Sequence, residues 1–251
     1  MALSPSKIDY LTHIWQIAVG CNHGCDYCWA RERWAKRMKC RHCQVYTPHL
    51  HWERWSDPYD RKKPARIGVG FFADLAGDWT WPTYLHELNI DAPYGRPKLW
   101  ANIARHIALC PQHRFITLTK APENIPDIDI PDNWWIGTSV TGAGQWSACE
   151  TTRISFTRVR MDRHGILSHE PWLGPLSSDW YENAGWVIIG GLTGKGAQGV
   201  PPHEIEAAHT TCQKLGIPLF VKRNAGIVGA PQEYPKGLML PGGGDGTHTD
   251  S

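Results

Sequence analysis

The 251-residue chain contains no long hydrophobic run; nothing in it approaches the roughly 18 consecutive apolar residues that a membrane crossing requires. It has little net charge, 26 basic against 24 acidic residues, so bulk electrostatics alone do not announce a polyanionic partner. Met1 to Leu11 lack a basic stretch followed by an apolar one, and the expectation is a cytoplasmic protein without a membrane partner. Phe and Met are scarce, at 5 and 4, whereas Cys and Trp number 8 and 14. Without an export signal, eight cysteines point to metal or redox chemistry rather than to a disulfide framework. Several tryptophans sit among basic residues, which suits stacking, while others belong in a core.

Short apolar, β-rich runs recur at His13–Val19, Arg66–Phe72, Arg114–Thr119, Trp134–Val140, Gly165–Glu170, Trp186–Gly191 and Pro218–Arg223. Most are nearly continuous, as expected of strands buried on both faces of a parallel sheet. Helical patterns cover Trp29–Arg37, Pro97–Leu109 and His203–Leu215, the last bounded by Pro201-Pro202 and Gly216, which is sound boundary chemistry. The alternation predicts an α/β fold, a partial (β/α)6 TIM-type barrel forming one domain over residues 1–240. Arg37–Lys63 is too long and too irregular for an ordinary connection. It reads as an insertion over 38–63 that carries its own structure, after the first strand-helix unit. The Gly-rich end, 241–251, reads as a disordered tail.

The decisive segment is Gly20–Arg31, G-C-N-H-G-C-D-Y-C-W-A-R. Cys21, Cys25 and Cys28 form C-x3-C-x2-C between an expected strand and an expected helix. Three thiolates on one loop can hold three irons of a [4Fe–4S] cluster, whose usual complement is four Cys, leaving one iron open to a small molecule. A zinc knuckle completed by His23 or a later Cys is the plainer reading of the same residues.

This triad, with Tyr27 before its last Cys, resembles the signature of the radical S-adenosylmethionine superfamily. The resemblance implies that the open iron takes the amino and carboxylate groups of S-adenosylmethionine, and that a reductase, flavodoxin or ferredoxin donates the electron. A 5′-deoxyadenosyl radical would then abstract a substrate hydrogen. Further blocks follow in order: FFADLAG (Phe71–Gly77), ITLTKAPE (Ile116–Glu123), NWWIGTSV (Asn133–Val140), SHEPWLGPL (Ser168–Leu176), WVIIGG (Trp186–Gly191) and PLFVKRNAG (Pro218–Gly226). Together they resemble a phage-associated, radical-SAM-like family whose members generally lack an assigned reaction. The chain departs from that pattern after Gly191, where Leu192 stands in place of an acidic residue common in relatives.

Downstream, Cys40, Cys43, His49 and His51 form C-x2-C-x5-H-x-H. Two thiolates and two imidazoles make a tetrahedral zinc set that would staple the insertion. The alternatives are an auxiliary cluster on Cys40 and Cys43, or histidines that merely flank a loop. Cys110 and Cys212, near helix C-termini, read as small buried apolar groups, and Cys149 as another isolated one.

On a barrel, strand ends supply the site. Asp74 is a candidate for the methionine ammonium or an ordinary helix N-cap. Thr138, Ser139 and Thr141 offer hydroxyls to cofactor, or simply pack at strand edges. Gly190 and Gly191 would let backbone approach the adenine or methionine portion. Gly191 to Gly196 superficially resembles a phosphate loop but lacks its full pattern. Lys120, Glu170 and Lys222 each lie at or just past a strand end, where a charge is costly unless paired or functional. Glu170 and Lys120 are the candidate catalytic residues, and Lys222, Trp29 and Arg31 candidate substrate contacts. A buried Lys–Glu pair is the competing account.

From Trp29 to Cys43 run Arg31, Arg33, Lys36, Arg37, Lys39 and Arg41, opposed by Glu32 alone, with Trp29 and Trp34 interleaved. Arg61 to Lys63, and Arg158 with Arg160, add charge. Such segments neutralise phosphates and stack on bases, although most charge runs are solvated faces. The expectation is a radical enzyme acting on a nucleic-acid base or modified nucleotide. A peptide-modifying radical enzyme and a non-enzymatic, zinc-stabilised nucleic-acid-binding protein are the alternatives.

Overall fold

The computed structural model describes residues 3–77, 96–142, 165–194 and 196–240. The expected tail, Cys149, Arg158 and Arg160 lie outside them. The strands in chain order are β1 (Ser4–Pro5), β2 (His13–Trp15), β3 (Ala18–Gly20), β4 (His49–Leu50), β5 (Arg66–Val69), β6 (Phe72–Ala73), β7 (Arg114–Thr119), β8 (Trp134–Val140), β9 (Gly165–His169), β10 (Trp186–Ile189) and β11 (Leu219–Val221). The helices are α1 (Arg41–Gln44), α2 (Asp57–Asp60), α3 (Arg96–Ala108) and α4 (Pro202–Leu215). No described helix is long and apolar enough to cross a membrane.

An eight-stranded sheet runs β1-β2-β5-β7-β8-β9-β10-β11. Every neighbouring pair from β2 onward is parallel, and β1 joins antiparallel at the edge. Parallel neighbours need crossovers, and α3 and α4 supply two of them, between β6 and β7 and between β10 and β11. Helix α4 opens one residue earlier than the sequence suggests, because Pro202 fits the first helical position. It stops at Gly216, where φ is 68°.

Alternation along the strands divides the core. Trp15, Ile67, Phe115, Trp134 and Ile136 pack with Leu99, Trp100, Ile103 and Ile107 of α3. Leu167, Val187, Ile189, Leu219 and Val221 pack with Ile205, Ala208 and Cys212 of α4. The residues of opposite parity, Ile14, Ile116, Trp135, Ile166, Trp186, Ile188 and Phe220, share one inner cluster with Tyr10. Six strand steps separate β2 from β11, about 29 Å in a flat sheet at ~4.8 Å per step. Yet the Tyr10 ring, just before β2, lies 5.8 Å from that of Phe220 on β11. Asp9 Oδ2 accepts the Arg223 amide at 2.6 Å. The sheet therefore curls around its inner face.

Two expected strands are each broken. The run His13–Val19 divides at Gln16 and Ile17, and the run Arg66–Phe72 divides at Gly70, where φ is 76°. At both breaks the chain leaves the large sheet for a second one of three strands, β4-β3-β6. There Val19 pairs with His49 and with Phe72, and Gly20 with Ala73. The expected helix over Trp29–Arg37 is also corrected. It is a π-type turn at Ala30–Trp34 followed by a 3₁₀ turn at Ala35–Arg37. Wide helical turns of this kind concentrate at functional sites.

Candidate functional site

The small sheet positions the thiols. Strand β3 ends at Gly20, and a Cβ there would lie 2.3 Å from the Thr47 carbonyl carbon, so only glycine lets β3 approach the insertion so closely. Cys21 follows at once, and Cys21, Cys25 and Cys28 are free and half-buried. Their loop is tied down from four sides. Arg31 donates to the Cys25 carbonyl at 2.9 Å. The Tyr27 hydroxyl bonds to Cys25 and to Thr141, just past β8. Cys28 Sγ and Tyr46 Oη are hydrogen-bonded at 3.7 Å. His23 Nε2 lies 2.7 Å from Asp74 Oδ2, which turns the His23 ring to a carboxylate.

Backbone amides face the sulfurs, His23 N to Cys21 Sγ and Arg31 N to Cys28 Sγ, each at 3.5 Å. Such donors stabilise electron-rich sulfur. Burial pushes the Cys21 thiol up to about 12, so a bound cation would have to hold it as thiolate. Burial, then the Cys25 thiol beside it, raises Tyr27 as well, which stays a neutral phenol. Three half-buried thiols on one anchored loop, with amides aimed at two of them, fit a cluster held by three cysteines.

Asp74 follows β6 and is 5 % exposed. Its Oδ1 accepts from the Ala76 and Gly77 amides, both at 3.0 Å, and from the Thr119 hydroxyl at 2.6 Å. Its Oδ2 accepts from the Lys120 amide at 2.8 Å and meets His23. Burial alone would raise its pKa, but His23, the Lys120 amide and Thr119 together hold the carboxyl below its ordinary value. Five donors already engage the group expected for an ammonium, and through them Asp74 joins the thiol loop to the end of β7.

The strand-end candidates separate by face. Lys120, Ser139, Glu170, Gly190 and Lys222 have the parity of the inner cluster. Thr138 has the opposite parity, is fully buried and donates to the Thr119 carbonyl at 3.3 Å, so its hydroxyl is spent within the sheet. Lys222 and Glu170 form an ion pair at the ends of β11 and β9, the competing account given above. A Cβ on Gly190 would lie 3.0 Å from the Glu170 and Lys222 side chains and 3.1 Å from Asn224 Oδ1. A Cβ on Gly191 would instead meet backbone, 2.4 Å from the Asn224 and Gln198 carbonyl oxygens. The space beside it is filled by protein rather than left for a cofactor. Lys120 Nζ sits 5.6 Å from the Tyr27 ring centre, apart from the Glu170–Lys222 pair.

Trp29 is 41 % exposed, with its ring 5.3 Å from that of Phe72, whereas Trp34 is stacked on Phe72 at 3.9 Å. Trp29 is exposed, whereas Trp34 is partly buried against the inner cluster. Arg33, Lys36, Arg37, Lys39 and Arg41, which follow Trp29 in the chain, are exposed as well. Glu32 takes Arg31 and Lys36. Cys110 and Cys212 are each 1 % exposed, in keeping with a packing role.

In the insertion, Cys40, Cys43, His49 and His51 offer ligand atoms that all lie within 4.8 Å of one another. His49 Nδ1 faces the Thr47 carbonyl at 2.7 Å and His51 Nδ1 faces Glu53 Oε1 at 2.8 Å. Burial pushes the Cys43 thiol up to about 12. The residues that sequence reasoning passed over are Thr119, Tyr46 and Asn224. Thr119 and Asn224 sit inside the ITLTKAPE and PLFVKRNAG blocks, whereas Tyr46 carried no signal.

A family model described as "Protein of unknown function (DUF5131)" matches residues 5–233. No curated protein and no solved structure matches the chain.

Proposed function

The chain belongs to the DUF5131 family, and from that premise we propose that it is a radical S-adenosylmethionine enzyme acting on nucleic acid. The observation that carries the reading is the Cys21/Cys25/Cys28 loop, anchored at the C-terminal ends of strands in a sheet that curls around its inner face. That curl and the parallel order support a partial barrel, whose strand ends are where such folds build active sites. Bound by the three thiols, a [4Fe–4S] cluster would supply one electron to S-adenosylmethionine and so the 5′-deoxyadenosyl radical that abstracts hydrogen.

The chain's own residues do the rest. Asp74 and Tyr27 fix the thiol loop against β7 and β8. Lys120, Ser139 and the Glu170–Lys222 pair line the inner face at the strand ends, where polar groups can orient a cofactor and a substrate. The absence of a side chain at Gly190 lets Glu170, Lys222 and Asn224 close in around it. The buried indoles of Trp135 and Trp186 belong to the inner cluster and would help shelter a radical formed on that face from water.

The exposed Trp29 among Arg33, Arg37 and Arg41 supports a nucleic-acid substrate, by stacking and phosphate neutralisation. Reversing those three arginines to Glu should weaken oligonucleotide binding and flatten its salt dependence, by about one unit of slope for each phosphate no longer neutralised. Fluorescence anisotropy across a salt series checks this; an unchanged slope would leave the peptide-modifying alternative ahead.

The test of the reaction class is formation of 5′-deoxyadenosine from S-adenosylmethionine by anaerobically reconstituted, dithionite-reduced protein, with iron and sulfide measured on the same sample. A folded sample that takes up no iron would move the reading to a zinc-stabilised nucleic-acid-binding protein.

A further inference from the structure

We propose that Cys40, Cys43, His49 and His51 bind one zinc ion as a closed structural site, and that this site clamps Tyr46 against Cys28. The clamp rests on the reading of Cys28 as a cluster ligand; the zinc site does not.

The distances suit a single ion with the four ligand atoms drawn close around it. Arms of ~2.3 Å to sulfur and ~2.05 Å to nitrogen give tetrahedral edges of roughly 3.3–3.8 Å. His49 Nε2 lies 3.5 Å from Cys40 Sγ and 3.4 Å from Cys43 Sγ. His51 Nε2 lies 3.2 Å from Cys43 Sγ and 3.1 Å from His49 Nε2. A two-iron cluster with its thiolates on one iron and its imidazoles on the other would hold these pairs much farther apart. Both histidines turn Nδ1 outward, to a carbonyl and to a carboxylate, which fixes Nε2 as the inward, unprotonated nitrogen that a metal needs. Two thiolates and two imidazoles suit zinc rather than magnesium or calcium. Four protein ligands leave no open position, so the role is structural.

The clamp follows from what the site holds in place. Helix α1 carries Cys43, and three residues later Tyr46 adopts φ 56°, the single described non-glycine residue with positive φ. A bulky side chain there is unusual, and such strain persists only where the surroundings over-determine it. The Tyr46 amide donates to the Cys43 carbonyl at 3.0 Å and the Thr47 amide to the His42 carbonyl at 3.1 Å. His49, on β4, pairs with Val19 of β3, two residues before Cys21. Metal ligands thus bracket Tyr46 on both sides, and its ring is buried with its hydroxyl at Cys28 Sγ.

The experiment is metal analysis and redox titration of anaerobically purified, reconstituted protein, comparing wild type, the Cys40→Ser/Cys43→Ser double variant and Tyr46→Phe. The wild type should carry one zinc per chain besides its iron, and the double variant none. Cobalt in place of zinc should show the ligand-field bands of a tetrahedral thiolate site. Tyr46→Phe should keep zinc and iron but move the cluster midpoint to more negative potential, because a hydrogen bond to thiolate sulfur favours the reduced state. The double variant should show the same shift. No zinc in wild type, or equal zinc in the double variant, overturns the site. A shift in Tyr46→Phe without one in the double variant overturns the clamp. Zinc that depends on Cys40 and Cys43 in a chain lacking iron upholds the site while overturning the reading of Cys28.

Discussion

Cys25→Ala protein, reconstituted and reduced beside the wild type, is expected to form no 5′-deoxyadenosine above background while keeping its fold. The loss should exceed the roughly 10–100-fold that a residue supporting a metal ligand commonly costs, because the proposed reaction makes Cys25 itself a ligand. The fold should survive because the loop keeps anchors that do not use the Cys25 sulfur: Arg31 grips the Cys25 carbonyl, His23 grips Asp74, and Tyr27 loses Cys25 but keeps Thr141. Circular dichroism verifies that the variant is folded, and chromatography of the adenosine products reads the activity. Equal product from wild type and variant would end the proposed reaction class. A wild type that holds iron and sulfide but is silent points to cleavage that waits for substrate.

Asp74→Ala should be the most destabilising single substitution near the site, by about 3–5 kcal/mol, since it removes one partner from a buried charged network. It takes the acceptor from the Thr119 hydroxyl and from the Ala76 and Lys120 amides, while the Gly77 amide keeps the residue-74 carbonyl. Asp74→Asn keeps one acceptor and should cost less, about 1–3 kcal/mol. Urea unfolding measures both. The pH dependence has a definite sign. Asp74 titrates below its ordinary value of 3.8 in the folded chain, so its contribution is complete above that value and fades as pH falls through the folded pKa. The gap in urea midpoint between wild type and Asp74→Asn should accordingly narrow in acid and stay constant from mildly acidic to neutral pH. A gap that widens in acid would contradict the assignment of Asp74 as the buried anion.

Much of this architecture could be read before the structure. Strands β7 and β8 have the bounds that the sequence suggests, because both faces of each are largely covered and, past Arg114, only hydroxyl residues and a glycine interrupt the apolar run. The thiol triad and the Cys/His set were legible from spacing, since metal ligands must lie close along the chain when they sit on one loop. The second sheet was not. Trp15-Gln16-Ile17-Ala18 reads as one continuous strand, and a change of partner leaves no mark on residues that stay buried throughout; Gly70 was the sole punctuation. Position along a strand marks its end residues but does not give the face that each one takes. Period-two alternation would have set Ser139 with Lys120 and Glu170 and turned Thr138 away. The role of Asp74 as a five-donor hub needed Thr119 and His23, distant in sequence and joined only by the fold.

The contact of Asp9 with Arg223 and of Tyr10 with Phe220 also dictates an order of assembly. The strands that carry the thiols, β3, β4 and β6, lie within residues 18–73, so their pairings close short loops and can form while the rest is still being synthesised. The seam that joins residues 9 and 10 to residues 220 and 223 spans almost the whole chain, and contacts of such separation form late. Until β11 emerges, the aromatic interior stays wet on one side. A nascent chain would thus present its Cys and Cys/His loops before the seam closes, and the metals proposed for them could be offered to it at that stage.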